Sequence, residues 1–246
     1  DLGITIVPTG KCTFPLRTIR SYRPTGIVGS TFKLIRLARQ MKAEGVEPKE
    51  SGVKKLVIGG EAFAEEARVY LADSWGCDVY NTYGSTEGTM CGECVARQGL
   101  HVPEDLVHLD LYDTRLKQFV RDGECGRIVL TTLLPVGESC GMLLINYDTE
   151  DTTTVISRAR CSCGRTHARS IGGILGRADD MVIYRGAKFY PVQVEKVVRS
   201  YRELGDEFII ELTRDEKAYT DVCTVVCECL KIEEDKSALV RRLQND

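Results

Sequence analysis

The sequence has 246 residues, 43% of them hydrophobic and 28% charged, enough apolar material for one substantial core and a small second one in a globular protein. A formal net charge of -3 offers no basic field for gathering phosphate backbones, which removes electrostatic support for nucleic-acid binding. No apolar run nears the roughly 20 residues needed to cross a bilayer, and the first residues lack the layout of a secretory signal, so a cytoplasmic protein is expected.

The chain opens at Asp1 and runs directly into the apolar stretch Ile4 to Val7, read as a strand entered partway through a fold, with an artificial N-terminus. Helices and strands then alternate. A helix is expected around Leu16 to Tyr22, a strand over Gly26 to Gly29 and a helix over Thr31 to Glu44; a strand over Lys55 to Ile58, a helix over Ala64 to Ser74 and a strand over Asp78 to Thr82 follow. This rhythm implies βαβ units and an α/β fold built on a mostly parallel sheet. Between His108 and Asp151 the pattern becomes β-rich, with strands expected over His108 to Tyr112, Gly126 to Thr132 and Met142 to Tyr147. After Pro191 a helix over Val192 to Ser200 places Val194, Val197 and Val198 on one face. Strands over Phe208 to Thr213 and Val222 to Leu230, and a helix from near Glu233, read as the start of a small α+β domain that is one strand short of closure at Asp246.

Eleven cysteines is a high but odd count, spread through a chain large enough to stabilise itself without crosslinks, so a disulfide framework is not expected. Cys94, His101, Cys161 and Cys163 make three thiols and an imidazole in two separated clusters, a set suited to tetrahedral structural Zn²⁺, with Cys91 and His167 as substitutes. The competing reading is that these cysteines are small buried hydrophobes. His108 is read as a strand histidine, Trp75 as a helix-end packing residue, and Cys227 and Cys229 as core-strand positions.

The segment Asn81-Thr82-Tyr83-Gly84-Ser85-Thr86-Glu87 follows a strand and leads into Gly-rich sequence, the place where open α/β sheets hold ligands. Tyr83 offers a flat face to a base, Gly84 permits close backbone approach, Thr86 can bond a phosphate oxygen and Glu87 supplies a hard oxygen for Mg²⁺. The bland alternative is a surface loop ending in a helix N-cap, since Ser-Thr-Glu is common at helix starts.

Asn-Thr-Tyr-Gly-Ser-Thr-Glu resembles the core motif of the adenylate-forming (ANL) superfamily of acyl-CoA synthetases, luciferases and peptide-synthetase adenylation domains. Other landmarks fall in the same order. Ile58-Gly59-Gly60-Glu61-Ala62-Phe63 is similar to the family's adenine-side loop, and Tyr147-Asp148-Thr149-Glu150-Asp151 to the element whose last aspartate holds the ribose hydroxyls. Gly176-Arg177-Ala178-Asp179-Asp180, with Arg185-Gly186 and Pro191 to Glu195 after it, is similar to the interdomain hinge. The words Glu93-Cys94, Gly99-Leu100-His101 and Cys161 to His167 resemble the phenylacetate-CoA ligase branch, and the cysteine-bearing variants around Cys12, Cys91 and Cys94 are similar to the coenzyme F-390 synthetases of methanogens.

The resemblance implies a large adenylation domain over residues 1–176, with a β-rich subdomain from about 106, and a small domain over 177–246 hinged at Asp179. It implies ATP as a substrate with Mg²⁺, Gly59, Gly60, Glu61, Asn81, Tyr83 and Gly84 around the nucleotide, Asp151 and Arg177 at the ribose, and Thr86, Glu87 and Arg177 serving the chemistry. The family's phosphate-binding loop is expected before Asp1 and its catalytic lysine beyond Asp246, Lys231 and Lys236 coming too early; the chain is therefore expected to be inactive alone. The F-390 resemblance implies adenylylation of the 8-hydroxyl of the deazaflavin coenzyme F-420. Two other outcomes stay open: activation of an aryl acid followed by transfer to CoA, and a non-catalytic, zinc-stabilised nucleotide-binding module.

Overall fold

The computed structural model describes residues 4–8, 15–62, 64–87, 89–121, 124–133, 142–153, 156–184, 187–215, 220–230 and 236–245. After the short helix α1 (Pro15–Tyr22), strands β1 (Gly26–Gly29), β2 (Lys55–Ile58) and β3 (Asp78–Ser85) lie side by side, both pairs parallel. Parallel neighbours need a crossover, which α2 (Thr31–Ala43) and α3 (Glu65–Trp75) supply. On α2 the buried residues Thr31, Leu34, Ile35, Ala38 and Met41 repeat at helical spacing, while Leu71 and Trp75 of α3 meet Leu56, Ile58 and Val79 of the strands. Removing each such large side chain from water contributes about 1.5–3 kcal/mol, which makes this cluster the anchor of the fold. Helix α3 ends at Gly76, whose left-handed backbone (φ +61) carries its N–H back to the Ala72 carbonyl.

Beyond β3 the chain stops crossing over and doubles back. Strands β4 (Thr89–Glu93) and β5 (Leu100–His101) add antiparallel to the same sheet. A second sheet then forms from β6 (Val107–Asp113), β7 (Gln118–Phe119), β8 (Gly126–Thr132) and β9 (Tyr147–Thr153). Next, β10 (Ile156–Ser157) and β11 (Arg169–Ser170) return to the first sheet before β12 (Ile174–Arg177) pairs with β9 in the second. The first sheet thus runs β1-β2-β3-β4-β5-β11-β10 and the second β12-β9-β8-β6-β7. Leu100 and Ile156 of the first meet Val107, Leu109, Leu111 and Ile128 of the second in one apolar cluster. The α/β class expected from the sequence holds, with the parallel order residing in β1–β3.

The remaining elements are the hairpin β13 (Val182–Tyr184) and β14 (Ala187–Phe189), helix α4 (Pro191–Ser200), the long hairpin β15 (Leu204–Asp215) and β16 (Thr220–Cys229), and helix α5 (Lys236–Asn245). Their core is small: Val198, Leu204 and Leu239 are buried, with Val194, Phe208 and Cys227 packed around them. Cys229 is exposed, so the packing role expected of it is not seen, whereas Trp75 is fully buried and His108 sits in a strand as expected.

Two expected strands differ. Residues 4–8 pair with no strand among the described residues, and Ile4 and Ile6 are exposed; an apolar run signals a preference for burial but does not supply a ladder partner. The strand expected over Met142 to Tyr147 instead spans Tyr147–Thr153, while Met142, Leu143 and Ile145 are exposed. Its inward positions are threonines, made tolerable because the Thr149 hydroxyl donates to the Ile128 carbonyl (3.0 Å) and that of Thr153 to the Gly173 carbonyl (2.7 Å). The start expected near Glu233 for the last helix lies outside the described residues. Among the described residues no helix is long and apolar enough to cross a membrane.

Candidate active site

The Asn81–Glu87 segment is mostly strand rather than loop. Positions 81 to 85 belong to β3, which pairs with β4 in the register Thr82↔Gly92, Tyr83↔Cys91, Gly84↔Met90 and Ser85↔Thr89. Thr86 and Glu87 occupy the connecting turn, and the strand that follows rules out a helix N-cap there.

What fixes this hairpin is a buried ion pair that sequence reasoning missed. Arg68 of α3 and Glu93 of β4 have side chains only 8% and 7% exposed, joined by two contacts of 2.7 and 2.8 Å. Arg68 also donates to the Val79 carbonyl (2.7 Å), and Glu93 accepts the Asn81 backbone N–H (2.6 Å). Burial opposes the charge on Arg68, but the Glu93 and Glu65 carboxylates outweigh it and hold the guanidinium above its usual pKa. One signal was available: Arg68 interrupts the apolar stripe Ala64, Leu71, Trp75 on α3, where an unpaired charge could not be buried.

Above the pair opens a cavity of about 680 Å³ with Gly60, Asn81, Tyr83, Asp151, Gly173 and Arg177 among its walls. Five of these six were expected from the sequence; the Gly172-Gly173 turn before β12 was not. Gly84 and Glu61 also face the cavity. The Glu61 carboxylate accepts the Phe32 N–H (3.1 Å) in the first turn of α2, where a negative charge suits the helix dipole. Gly59 lies beneath, with its α-carbon so near β3 that an added Cβ would stand 2.6 Å from the Thr82 carbonyl oxygen. Gly60 follows with φ +86, a backbone conformation that favours glycine.

Tyr83 and Asp151, 68 positions apart, meet in the cavity: the phenol donates to Asp151 Oδ2 at 2.6 Å. Burial, and then the adjoining carboxylate, push the phenol well above its ordinary pKa, so it stays a donor. Arg177 stands opposite Asp151 in the β9–β12 register, while its guanidinium pairs with Glu150 at 2.6 Å in a half-exposed contact. Glu150 has φ +63, an uncommon conformation for a residue with a side chain. The structure therefore brings Asp151 and Arg177 together, with Glu150 as a further anionic neighbour.

Thr86 and Glu87 lie at the hairpin tip, outside that lining. Glu87 accepts from the Tyr147 hydroxyl and the Thr86 hydroxyl, each at 3.4 Å, and its own backbone N–H with the Ser85 hydroxyl holds its carboxyl below the usual range. This is an anionic, accessible oxygen donor. Asp179 falls in a single 3-10 turn, Ala178–Asp180, joining β12 to β13; Arg185 and Gly186 lie outside the described residues. From the other side Val192 and Glu195 of α4 and Phe208 of β15 complete the cavity wall.

A second cluster sits at the ends of β4 and β5 and on the loop between β10 and β11. The donor atoms of Cys94, His101, Cys161 and Cys163 all lie within 4.8 Å of one another. The Cys163 backbone N–H draws the Cys161 thiol down to about 7, whereas burial raises Cys94 and lowers His101. Cys91, expected as a possible substitute, packs into the apolar cluster between the sheets, and His167 is not among the four.

The model of the family described as "AMP-binding enzyme" matches residues 2–133, more than half of the chain. The chain belongs to the AMP-binding enzyme family. Within it, the chain is 34% identical over 220 residues to a phenylacetate-coenzyme A ligase of Thermus thermophilus, covering 87% of this chain and 48% of that enzyme. With a phenylacetate-coenzyme A ligase of Aromatoleum evansii it shares 27% over 257 residues, covering 100% of this chain and 56% of that one. The chain thus spans about half the length of these curated relatives. In fold it is similar to a 2-hydroxyisobutyryl-CoA ligase in the postadenylation state in complex with R3-HIB-AMP (TM-score 0.78, 23% identity, 96% of this chain and 50% of that one). An anthranilate CoA ligase in complex with anthranoyl-AMP gives a TM-score of 0.59 at 18% identity, over 93% and 44% of the two chains.

Proposed function

We propose that the cavity is the nucleotide site of an ATP-dependent adenylate-forming ligase acting on an aryl acid, in the manner of a phenylacetate-CoA ligase. The observation that carries this reading is the Tyr83–Asp151 hydrogen bond, which joins the core motif and the Tyr147–Asp151 element at one cavity. Gly60 keeps one wall free of a side chain for the flat face of adenine, with Gly59 letting that loop pack closely on β3; Tyr83 lies against the base, and Asp151 accepts the ribose hydroxyls. Arg177, opposite Asp151 on β12, exchanges Glu150 for the nucleotide. A carboxylate oxygen of the acid attacks the α-phosphorus in line and pyrophosphate leaves; most of the catalysis is positioning and charge neutralisation.

Mg²⁺, when bound, neutralises charge on the phosphates. The Glu87 carboxylate, exposed and held anionic, is a hard oxygen ligand that fits it, with the Thr86 hydroxyl beside it for a phosphate oxygen. This reading gives the Cys/His cluster no part in the chemistry. It takes residues 1–176 as the adenylation domain and 177–246 as the smaller domain, pivoting at Asp179 so that CoA can reach the adenylate. A second reading, favoured by the cysteine-bearing variants of the motif around Cys91 and Cys94, makes the 8-hydroxyl of coenzyme F-420 the acceptor, with no thioester step.

ATP–pyrophosphate exchange by the full-length protein separates the two. Exchange that depends on phenylacetate or a related aryl acid, and is lost in Asp151→Asn, is expected. Exchange that requires the deazaflavin and is indifferent to aryl acids would replace the first reading with the second, and exchange with neither acceptor would sink both.

A further inference from the structure

Two segments far apart in the chain meet behind the cavity, and what they bring is a complete ligand set. Cys94 directly follows β4 and His101 ends β5; Cys161 and Cys163 lie on the loop between β10 and β11. The sulfurs of Cys94 and Cys161 are 3.7 Å apart, and Cys163 Sγ is 3.6 Å from His101 Nε2. In a tetrahedral zinc site with Zn–S near 2.3 Å and Zn–N near 2.0–2.1 Å, ligand atoms are separated by about 1.63 bond lengths, or roughly 3.5–3.8 Å. These two separations fit a shared metal, all four donor atoms lie within 4.8 Å of one another, and the Cys94–Cys161 distance is far too long for a disulfide, whose sulfurs stand about 2.05 Å apart. Cys94, His101 and Cys161 are all less than a tenth exposed.

The loop is built for this. The Cys161 N–H donates to the Arg165 carbonyl (3.0 Å) and the Gly164 N–H to the Cys161 carbonyl (2.9 Å), with Gly164 at φ +93, a tight turn that turns both thiols of Cys-Ser-Cys to one side. Charge is provided for as well. Three thiolates, a neutral imidazole and Zn²⁺ sum to one negative charge, and the buried Arg169 reaches both ligand segments, donating to the Gln98 carbonyl (2.7 Å) and the Ala159 carbonyl (3.2 Å).

We infer that Cys94, His101, Cys161 and Cys163 bind one structural zinc ion that braces the wall of the nucleotide cavity. Besides the metal, the two segments are joined by the two-residue pairing of β5 with β11, by the Val102 N–H to the Ala168 carbonyl and by the Arg169 guanidinium to the Gln98 carbonyl. Gly99 and Leu100, between the ligands Cys94 and His101, face the cavity, and Gly99 packs so tightly on the second segment that a Cβ there would stand 2.5 Å from the Ser170 carbonyl oxygen. Cys94 directly follows Glu93, the carboxylate that receives the Asn81 N–H. Metal loss therefore loosens the support beneath the core motif. Four protein ligands leave no open position, so the ion does not act on substrate.

The test is metal analysis of the full-length protein purified without chelator, followed by cobalt titration of the metal-free protein. One zinc per chain is expected, and the cobalt form should show the intense thiolate-to-metal charge-transfer and visible bands of a tetrahedral thiolate site. Cys163→Ser should lose the metal, Arg169→Gln should weaken it by about 10–100-fold, and the exposed-cysteine variant Cys125→Ser should keep it. If a variant fails to fold, the cobalt spectrum of the unaltered protein still decides. Absence of both zinc and a cobalt spectrum, full occupancy in Cys163→Ser, or a Cys94–Cys161 disulfide in the native protein would overturn the inference. No nucleotide or acid enters this measurement, so its failure leaves the ligase reading standing, and failed exchange leaves the zinc site standing.

Discussion

The two sides of the cavity are held by different means. On the side of α2, α3 and β1–β3, twelve buried hydrophobic residues form one cluster among the described residues, and the charged groups Arg68 and Glu93 beside the cavity are paired and nearly closed to solvent. On the side of α4, β15, β16 and α5, the buried core among the described residues is Val198, Leu204 and Leu239; Ile209, Leu212 and Val225 of the hairpin are exposed, and the Arg242–Glu203 ion pair is open to water on its Arg242 side. Position in the motif-bearing wall is over-determined by packing. Among the described residues the opposite wall has the smaller buried core, which fits the proposed pivot of residues 177–246 about Asp179.

The sharpest way to break the contrast is to remove one partner of the buried pair. Glu93→Ala should cost about 3–5 kcal/mol, because it leaves the Arg68 charge buried without its main partner and frees the Asn81 N–H; chemical denaturation measures it. A loss below about 1 kcal/mol would show that the pair is solvated and that packing alone positions β3. Next come matched cavity-forming changes in the two cores. Leu56→Ala and Leu239→Ala each belong to a class that costs about 2–5 kcal/mol, but Leu56 should sit high in that range and lower the main unfolding transition. Leu239→Ala should fall at the low end, since its small cluster can collapse, and should show first as faster amide exchange in β15 and α5. Equal effects on the main transition would mean that the two walls unfold as one body.

Smaller effects probe the cavity itself. Tyr83→Phe removes one hydrogen bond to Asp151, worth about 1 kcal/mol, and should weaken nucleotide binding by several-fold in calorimetry with little change in the unfolding midpoint. An unchanged affinity would show that the Tyr83–Asp151 contact does not shape the nucleotide site. Arg242→Ala, at the exposed pair, should change stability by no more than about 1 kcal/mol. A larger loss would mean that the thin side depends on this contact.

Local pattern made much of this protein legible. Apolar spacing marked α2 and α3, short β-rich runs marked β1, β2 and β8, and the ordered words around Asn81, Tyr147 and Gly176 pointed to Asn81, Tyr83, Gly84, Asp151 and Arg177, which face one cavity, and to Thr86 and Glu87, which lie outside its lining, because such patterns are written in near neighbours along the chain. The same patterns misplaced β9, whose inward side chains are threonines satisfied by carbonyls of other strands, and they overlooked Arg68 and Glu93, which are tolerable only as a pair from two different elements. That Cys94 and His101 could share a ligand set with Cys161 and Cys163 was readable from residue type. That they do converge was decided by the pairing of β5 with β11, a long-range contact between segments about seventy positions apart whose register depends on the whole sheet being assembled. Composition and spacing thus determined which groups were available; the closure of the two sheets determined which of them touch.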